Sequence, residues 1–294
     1  MYIPLMLADF LSGINLENPL ANVFWGWAEA LINDSIGYGQ MQEISTYMYM
    51  GSDAFDNLWA VVNSAFTVVK DFGFALISTF FILHLLDLAS KDNMSVESIT
   101  KALITLIIAV AIAGNLETVI NTFLSIGDSI VENLYNVGNI NDPTGLKSGT
   151  DSNIGNTIIT NLKSGAGVGK AFGAWFSALI LKVISLITNI IVDLAVLSRM
   201  LDIAWRVAFT PIGIANIFEG GMNSKAMGYL KGLLASALSG AVMLVILAIG
   251  FALSASLWSG TIDGMGGCFW ASGALLSTGT AAMAASSKVK EIIS

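Results

Sequence analysis

The sequence predicts an all-α, polytopic membrane helical bundle of about five transmembrane helices plus a re-entrant or amphipathic cytoplasmic element. Three observations predict it. Of 294 residues, 55% are hydrophobic and only 12% are charged. A soluble domain carries about 25% charged residues, because its surface must stay solvated. Mean hydropathy is +0.74. The apolar residues also gather into segments near 20 residues or longer, the length that crosses about 30 Å of hydrocarbon.

Four strong spans are expected, over Trp59–Leu88, Ile99–Ile126, Ala171–Val196 and Tyr229–Leu257. A weaker one, rich in small residues, is expected over Cys268–Ala285. Residues 1–58 form an acidic, aromatic segment expected outside the cytoplasm. Residues 59–126 form a first helix pair, 127–170 a polar outer loop, and 171–294 a bundle containing the unusual element 197–228. Met1–Gly13 has no basic n-region and its apolar run is broken by Asp9, so no cleaved leader is expected.

Charge sets the predicted orientation, because Lys and Arg near helix ends stay cytoplasmic. Residues 1–69 contain no Lys or Arg but do contain Asp9, Glu17, Glu29, Asp34, Glu43, Asp53 and Asp56. Lys91 and Lys101 fall in the first inner loop, and Lys288 and Lys290 at the end. If Leu197–Gly228 does not span, then Arg199, Arg206, Lys225 and Lys231 also lie inside. Pro211 favours that reading, because it removes a backbone donor. The expected topology is N-terminus out and C-terminus in. Within the first segment, Leu20–Ile32 carries Phe24, Trp25 and Trp27 and is too short to span. It lies on the outer leaflet, touches a partner, or packs on its own bundle.

Several constellations invite a chemical reading. Lys182, Ser185, Asn189 and Asp193 fall at i, i+3, i+7 and i+11, one face of the third span. Intramembrane charge faces water or a bundle interior, so this stripe lines a conduit or forms a buried seam. Arg199, Asp202 and Arg206 follow at i, i+3 and i+7 beside Trp205, and Asp202 can pair with either arginine. With Pro211 they form an element for partner or anionic-lipid contact, or they cap the bundle. Gly232, Ser236 and Gly240 repeat every four residues, as do Gly273, Ser277 and Ala281, a spacing that lets helices approach closely in lipid.

Other features point away from catalysis. His84 is the single histidine and with Asp87 supplies too few ligands for zinc. Ser164–Ala171, SGAGVGKA, lacks the first Gly and final Ser or Thr of a phosphate loop. Cys268 is alone and reads as a small buried residue. No enzyme activity, cofactor or metal is expected. The net charge of -8, with thirteen scattered basic residues, argues against a nucleic-acid-binding patch.

The order of these parts resembles the TrbL-type inner-membrane subunit of conjugative type IV secretion systems. An acidic aromatic segment, a helix pair and a polar loop precede Arg199–Lys231, RMLDIAWRVAFTPIGIANIFEGGMNSKAMGYLK, and a small-residue span follows. RVAFTPIGIANIF with its following Tyr–Leu–Lys is the most family-like piece. The resemblance implies a structural channel subunit, without enzymatic activity, that helps move a DNA–protein substrate across the membrane. It implies contact with other secretion-system membrane subunits, ATPases and lipids, assembly as a homo-oligomeric ring, and transient contact with the substrate. A stand-alone secondary transporter or ion channel is the alternative. Transporters often repeat a broken helix in both halves, and here one break, near Pro211, has no match in the first half.

Overall fold

The computed structural model describes residues 19–35, 44–50, 53–91, 95–137, 154–163, 168–217, 224–259 and 265–293, and they contain helices and no strand. Met1–Gly13, the middle of the polar loop, the first half of Ser164–Ala171 and residues 218–223 lie outside them. The helices are α1 (Pro19–Ser35), α2 (Asp56–Ser90), α3 (Val96–Gly114), α4 (Leu116–Tyr135), α5 (Ile154–Lys163), α6 (Val168–Gly213), α7 (Lys225–Ser259), α8 (Met265–Met283) and α9 (Ala285–Ile293). Four of them, α2, α3, α6 and α7, are long and apolar enough to cross a membrane. The chain is thus an all-α polytopic membrane protein. Helix α8, over the weak fifth segment, is not among those four.

The ends of the helices follow local chemistry. Lys91 closes α2, its N–H donating to the Asp87 carbonyl and its ammonium pairing with the Asp87 carboxylate at 2.7 Å. A cation at this end suits the helix dipole. Ser95 opens α3 with a capping box: its hydroxyl accepts the Ser98 N–H at 3.1 Å, and the Ser98 hydroxyl accepts the Ser95 N–H at 3.0 Å.

Two expectations are corrected. The segment Ile99–Ile126 is two helices, broken at Asn115. Gly114 weakens the helix there, and the Asn115 side-chain amide donates to the Ala111 carbonyl at 2.9 Å, competing with the backbone ladder. Helix α4 beyond the break has a polar face with Glu117, Asn121, Asp128 and Glu132, and it buries Leu116, Ile120 and Val131. The second correction concerns Ala171–Val196 and the element 197–228. No helix end exists at residue 197, because α6 runs unbroken for 46 residues from Val168 to Gly213. At 1.5 Å per residue it is about 69 Å long, more than twice the hydrocarbon thickness. Pro211 sits in its last turn, where few following residues depend on an unbroken ladder.

The chain divides into two compact units. The first comprises Met1–Thr46, Asn133–Ala195 and Met243–Ala284. In it α1 packs on α5, where Gly155 presses on the Glu29 carbonyl and its N–H donates to the Asn33 side chain at 2.9 Å. Phe24 of α1 meets Phe172 and Trp175 of α6, with ring centroids 5.5 and 5.8 Å apart. Gly250 of α7 admits Thr278 of α8 against its backbone.

The second unit comprises Tyr47–Glu132, Val196–Val242 and Ala285–Ser294. Its core joins Val62, Phe66 and Ile77 of α2, Ala109 of α3, Ile120 of α4, Met200, Ile203 and Val207 of α6, and Leu233 of α7. Gly73 admits Pro211, whose Cβ would lie 2.7 Å from a Cβ placed there. Large apolar side chains cover the outward faces of the spans, Val61, Phe72, Ile107 and Leu201 among them, as lipid contact requires.

Candidate functional site

The most organised polar arrangement lies in the second unit. Arg199, Asp202 and Arg206 occupy one face of α6, and Gly232, Ser236 and Gly240 occupy the facing side of α7. They meet rung by rung in opposite order. Arg206 lies over Gly232, where an added Cβ would come within 2.8 Å of Nη1. Asp202 accepts the Ser236 hydroxyl at 2.5 Å. Arg199 lies over Gly240, where an added Cβ would be 2.6 Å from Cζ.

Arg199 is 3% exposed. Its guanidinium donates from Nη1 to the Met48 carbonyl (2.9 Å), from Nη2 to the Ala237 carbonyl (3.0 Å) and from Nε to the Ser236 carbonyl (3.3 Å). Helix carbonyls retain a second lone pair, and the bare Gly240 uncovers those of Ser236 and Ala237. A buried cation costs several kcal/mol to desolvate, so all three bonds are needed to hold it. Of the two arginines expected as partners of Asp202, Arg199 is not the one that pairs with it, and Arg199 is buried.

Asp202 instead pairs with Arg206 at 3.0 Å and accepts from the Trp205 indole at 3.1 Å. Lys290 of α9 lies 3.5 Å from its other oxygen. Arg206 stacks 4.8 Å from the Trp205 ring centroid and 6.0 Å from that of Tyr229, whose hydroxyl donates to the Arg206 carbonyl at 2.7 Å. Gly213 is pressed by the Tyr229 ring, 2.7 Å from an added Cβ.

The segment touched by Arg199 is gripped from α4 and α2 as well. Asp128 accepts the Met50 N–H at 2.9 Å, and Trp59 donates to the Met50 carbonyl at 2.6 Å. Burial, with Glu132 and Asp128 nearby, raises the Tyr49 phenol above its ordinary value of 10.0. Arg199 and Asp128 therefore hold residues 48–50 by main-chain atoms. Sequence reasoning missed Met48, Asp128 and Ala237, since a carbonyl acceptor leaves no mark in side-chain identity. The matched two-turn spacing of the arginines and glycines was the available signal.

The predicted polar stripe lies in the first unit and divides. Lys182 pairs with Asp34 at 2.5 Å and donates to the Asp34 carbonyl at 3.2 Å. The buried Ser185 donates to the Ser35 carbonyl at 2.9 Å. These two residues receive the last carbonyls of α1, which have no intrahelical partner. Asn189 is half-buried and Asp193 exposed. In α8, a Cβ at Gly273 would meet nothing, and Ser277 and Ala281 line an open groove of about 500 Å³ with Gly250, Leu253 and Trp270. Cys268 is buried and donates to the Ser177 carbonyl at 2.9 Å. Asp87 pairs with Lys91, and no metal-binding group of three or more ligands occurs among the described residues.

Buried charge held inside a bundle of long apolar helices defines a membrane protein whose polar groups organise its helices. The sequence model of the TrbL/VirB6 plasmid conjugal transfer like protein family matches residues 37–211. That is more than half of the chain, and the chain belongs to this family. No curated protein and no solved structure matches it. The family places the chain in plasmid conjugal transfer, in association with other transfer components.

Proposed function

We propose that the chain is a structural channel subunit of a conjugative type IV secretion system, without enzymatic activity, that helps move a DNA–protein substrate across the cytoplasmic membrane. The observation that carries this reading is the family match over residues 37–211, which includes Arg199, Asp202, Arg206 and Pro211. The geometry supports it: Arg199, Asp202 and Arg206 lock α6 to α7, Arg199 with Asp128 grips residues 48–50, and Pro211 packs on Gly73 of α2, the work of a scaffold. In this reading the subunits form a homo-oligomeric ring beside the secretion ATPases and other membrane subunits, with the N-terminus out and the C-terminus in.

Formaldehyde cross-linking in mating donors, followed by precipitation of the chain, tests the channel role. Recovery of transferred-strand DNA, dependent on the ATPases, is expected. Absence of that DNA while neighbouring transfer components still yield it would remove the channel role. Solute flux by the purified chain alone in liposomes would point to the transporter alternative.

A further inference from the structure

Asp202 has its hydrogen bonds without Lys290. One of its oxygens takes the Arg206 Nε at 3.0 Å and the Trp205 indole at 3.1 Å, and the other takes the Ser236 hydroxyl at 2.5 Å. Lys290 stands 3.5 Å from that second oxygen, 40% exposed, and makes no hydrogen bond among the described residues. Two cations therefore share one carboxylate, and the cluster keeps a surplus positive charge.

Arg206 also has donors to spare. Its guanidinium stacks against the Trp205 and Tyr229 rings and uses only Nε on Asp202. Its Nη1 and Nη2 meet no hydrogen-bond acceptor among the described residues. Stacking fixes the plane of the group and leaves the edge between Nη1 and Nη2 free. Such a fork fits two oxygens of a phosphate.

An anion that fills these donors must also suit their surroundings. Leu197, Leu201, Trp205 and Phe209 recur every four residues along α6 and are 47–60% exposed. This apolar row passes directly beside Arg206, whose guanidinium lies 4.8 Å from the Trp205 ring centroid. A soluble anion would meet the cations and leave the row bare. An amphiphile satisfies both, and basic pockets between membrane helices receive lipid headgroups. The tryptophan suits that level, because its ring is apolar with a polar N–H. A phosphodiester with no cation of its own matches the surplus charge, whereas a choline headgroup would bring a third cation.

We propose that Arg206 and Lys290 hold the phosphate of an anionic phospholipid, with Trp205 and Tyr229 beside the headgroup and the acyl chains along the exposed row of α6. Anionic-lipid contact thus belongs to Arg206 and Lys290 and not to the buried Arg199. The site joins α6, α7 and α9, and it holds whether or not the chain conveys DNA.

Native mass spectrometry of the detergent-solubilised full chain, titrated with dioleoyl phosphatidylglycerol or dioleoyl phosphatidylcholine, tests this. Phosphatidylglycerol should bind about tenfold more tightly than phosphatidylcholine, and Lys290→Gln should weaken it about fivefold. Lys101→Gln, which removes an exposed lysine of α3, should leave it unchanged. Arg206→Gln should abolish the preference. That change also strips Asp202 of a partner, so the Lys290 variant decides the matter if the Arg206 variant fails to fold. Glycerophosphoglycerol, the headgroup without chains, and inorganic phosphate should not displace the lipid. Equal affinity for the two lipids, or Lys290→Gln behaving like Lys101→Gln, would overturn the proposal. Displacement by glycerophosphoglycerol or phosphate would mean a site for soluble anions and would overturn the lipid equally. DNA cross-linking reports separately on the channel role.

Discussion

Gly240→Ala is the smallest change that should break the lock between α6 and α7. The new methyl would lie 2.6 Å from Arg199 Cζ and 2.7 Å from Nη2. Carbon atoms rest about 3.5 Å apart, so the guanidinium must withdraw by roughly 1 Å. Its bonds to Met48, Ala237 and Ser236 start at 2.9, 3.0 and 3.3 Å. At least one passes beyond hydrogen-bond range, a loss of about 1.5–3 kcal/mol for a charged donor. Overpacking adds about 1–3 kcal/mol, and the better helix propensity of Ala returns at most about 1 kcal/mol. The net cost is about 1.5–5 kcal/mol, or roughly 12- to 4,000-fold in the folded-to-unfolded ratio. Denaturation by SDS in mixed micelles, followed by tryptophan fluorescence, measures it. Gly273→Ala is the control, because a Cβ there meets nothing within 4 Å. In an Arg199→Met background, Gly240→Ala should cost under about 1 kcal/mol, since the group it strikes is gone. Equal stability of Gly240→Ala and Gly273→Ala, or strict additivity with Arg199→Met, would refute the reasoning.

Other outcomes follow from the same geometry. Gly232→Ala should cost clearly less than Gly240→Ala in the same micelle assay, because the added methyl meets the far end of Arg206 at Nη1, which can swing aside. Lys182→Met should lower stability by at most about 1 kcal/mol, because its partner Asp34 is largely exposed, yet hydrogen exchange at the last turn of α1 should quicken. Tyr49 has a raised pKa in the folded chain, so its contribution is complete below pH 10 and is lost as pH climbs through the higher folded value. Tyr49→Phe should remove that alkaline loss, read from stability measured between pH 9 and 12.

The fold class was legible because lipid demands long apolar helices, and composition carries that demand directly. Helix boundaries were less so. Ala171–Val196 reads as a span because Arg199 and Asp202 look like its end. The structure absorbs both charges on the α7 side of one long helix, so hydropathy alone overstates the boundary. Asn115 was hidden for the opposite reason: one amide in an apolar run lowers hydropathy little, yet it ends α3. At the candidate site, the arginines and the glycines were both visible as periodic rows. The glycines were read as surfaces for helix backbones, whereas Gly232 and Gly240 make room for guanidinium groups. Nothing in the residue types says which row meets which, since that depends on the path of the chain between Gly213 and Lys225.

The most direct test of the account is plasmid transfer from donors that lack this chain, complemented with the wild type or with Arg199→Met at matched membrane levels. The account predicts that transfer falls by orders of magnitude without the chain, returns with the wild type, and stays low with Arg199→Met. Undiminished transfer from donors lacking the chain would contradict it.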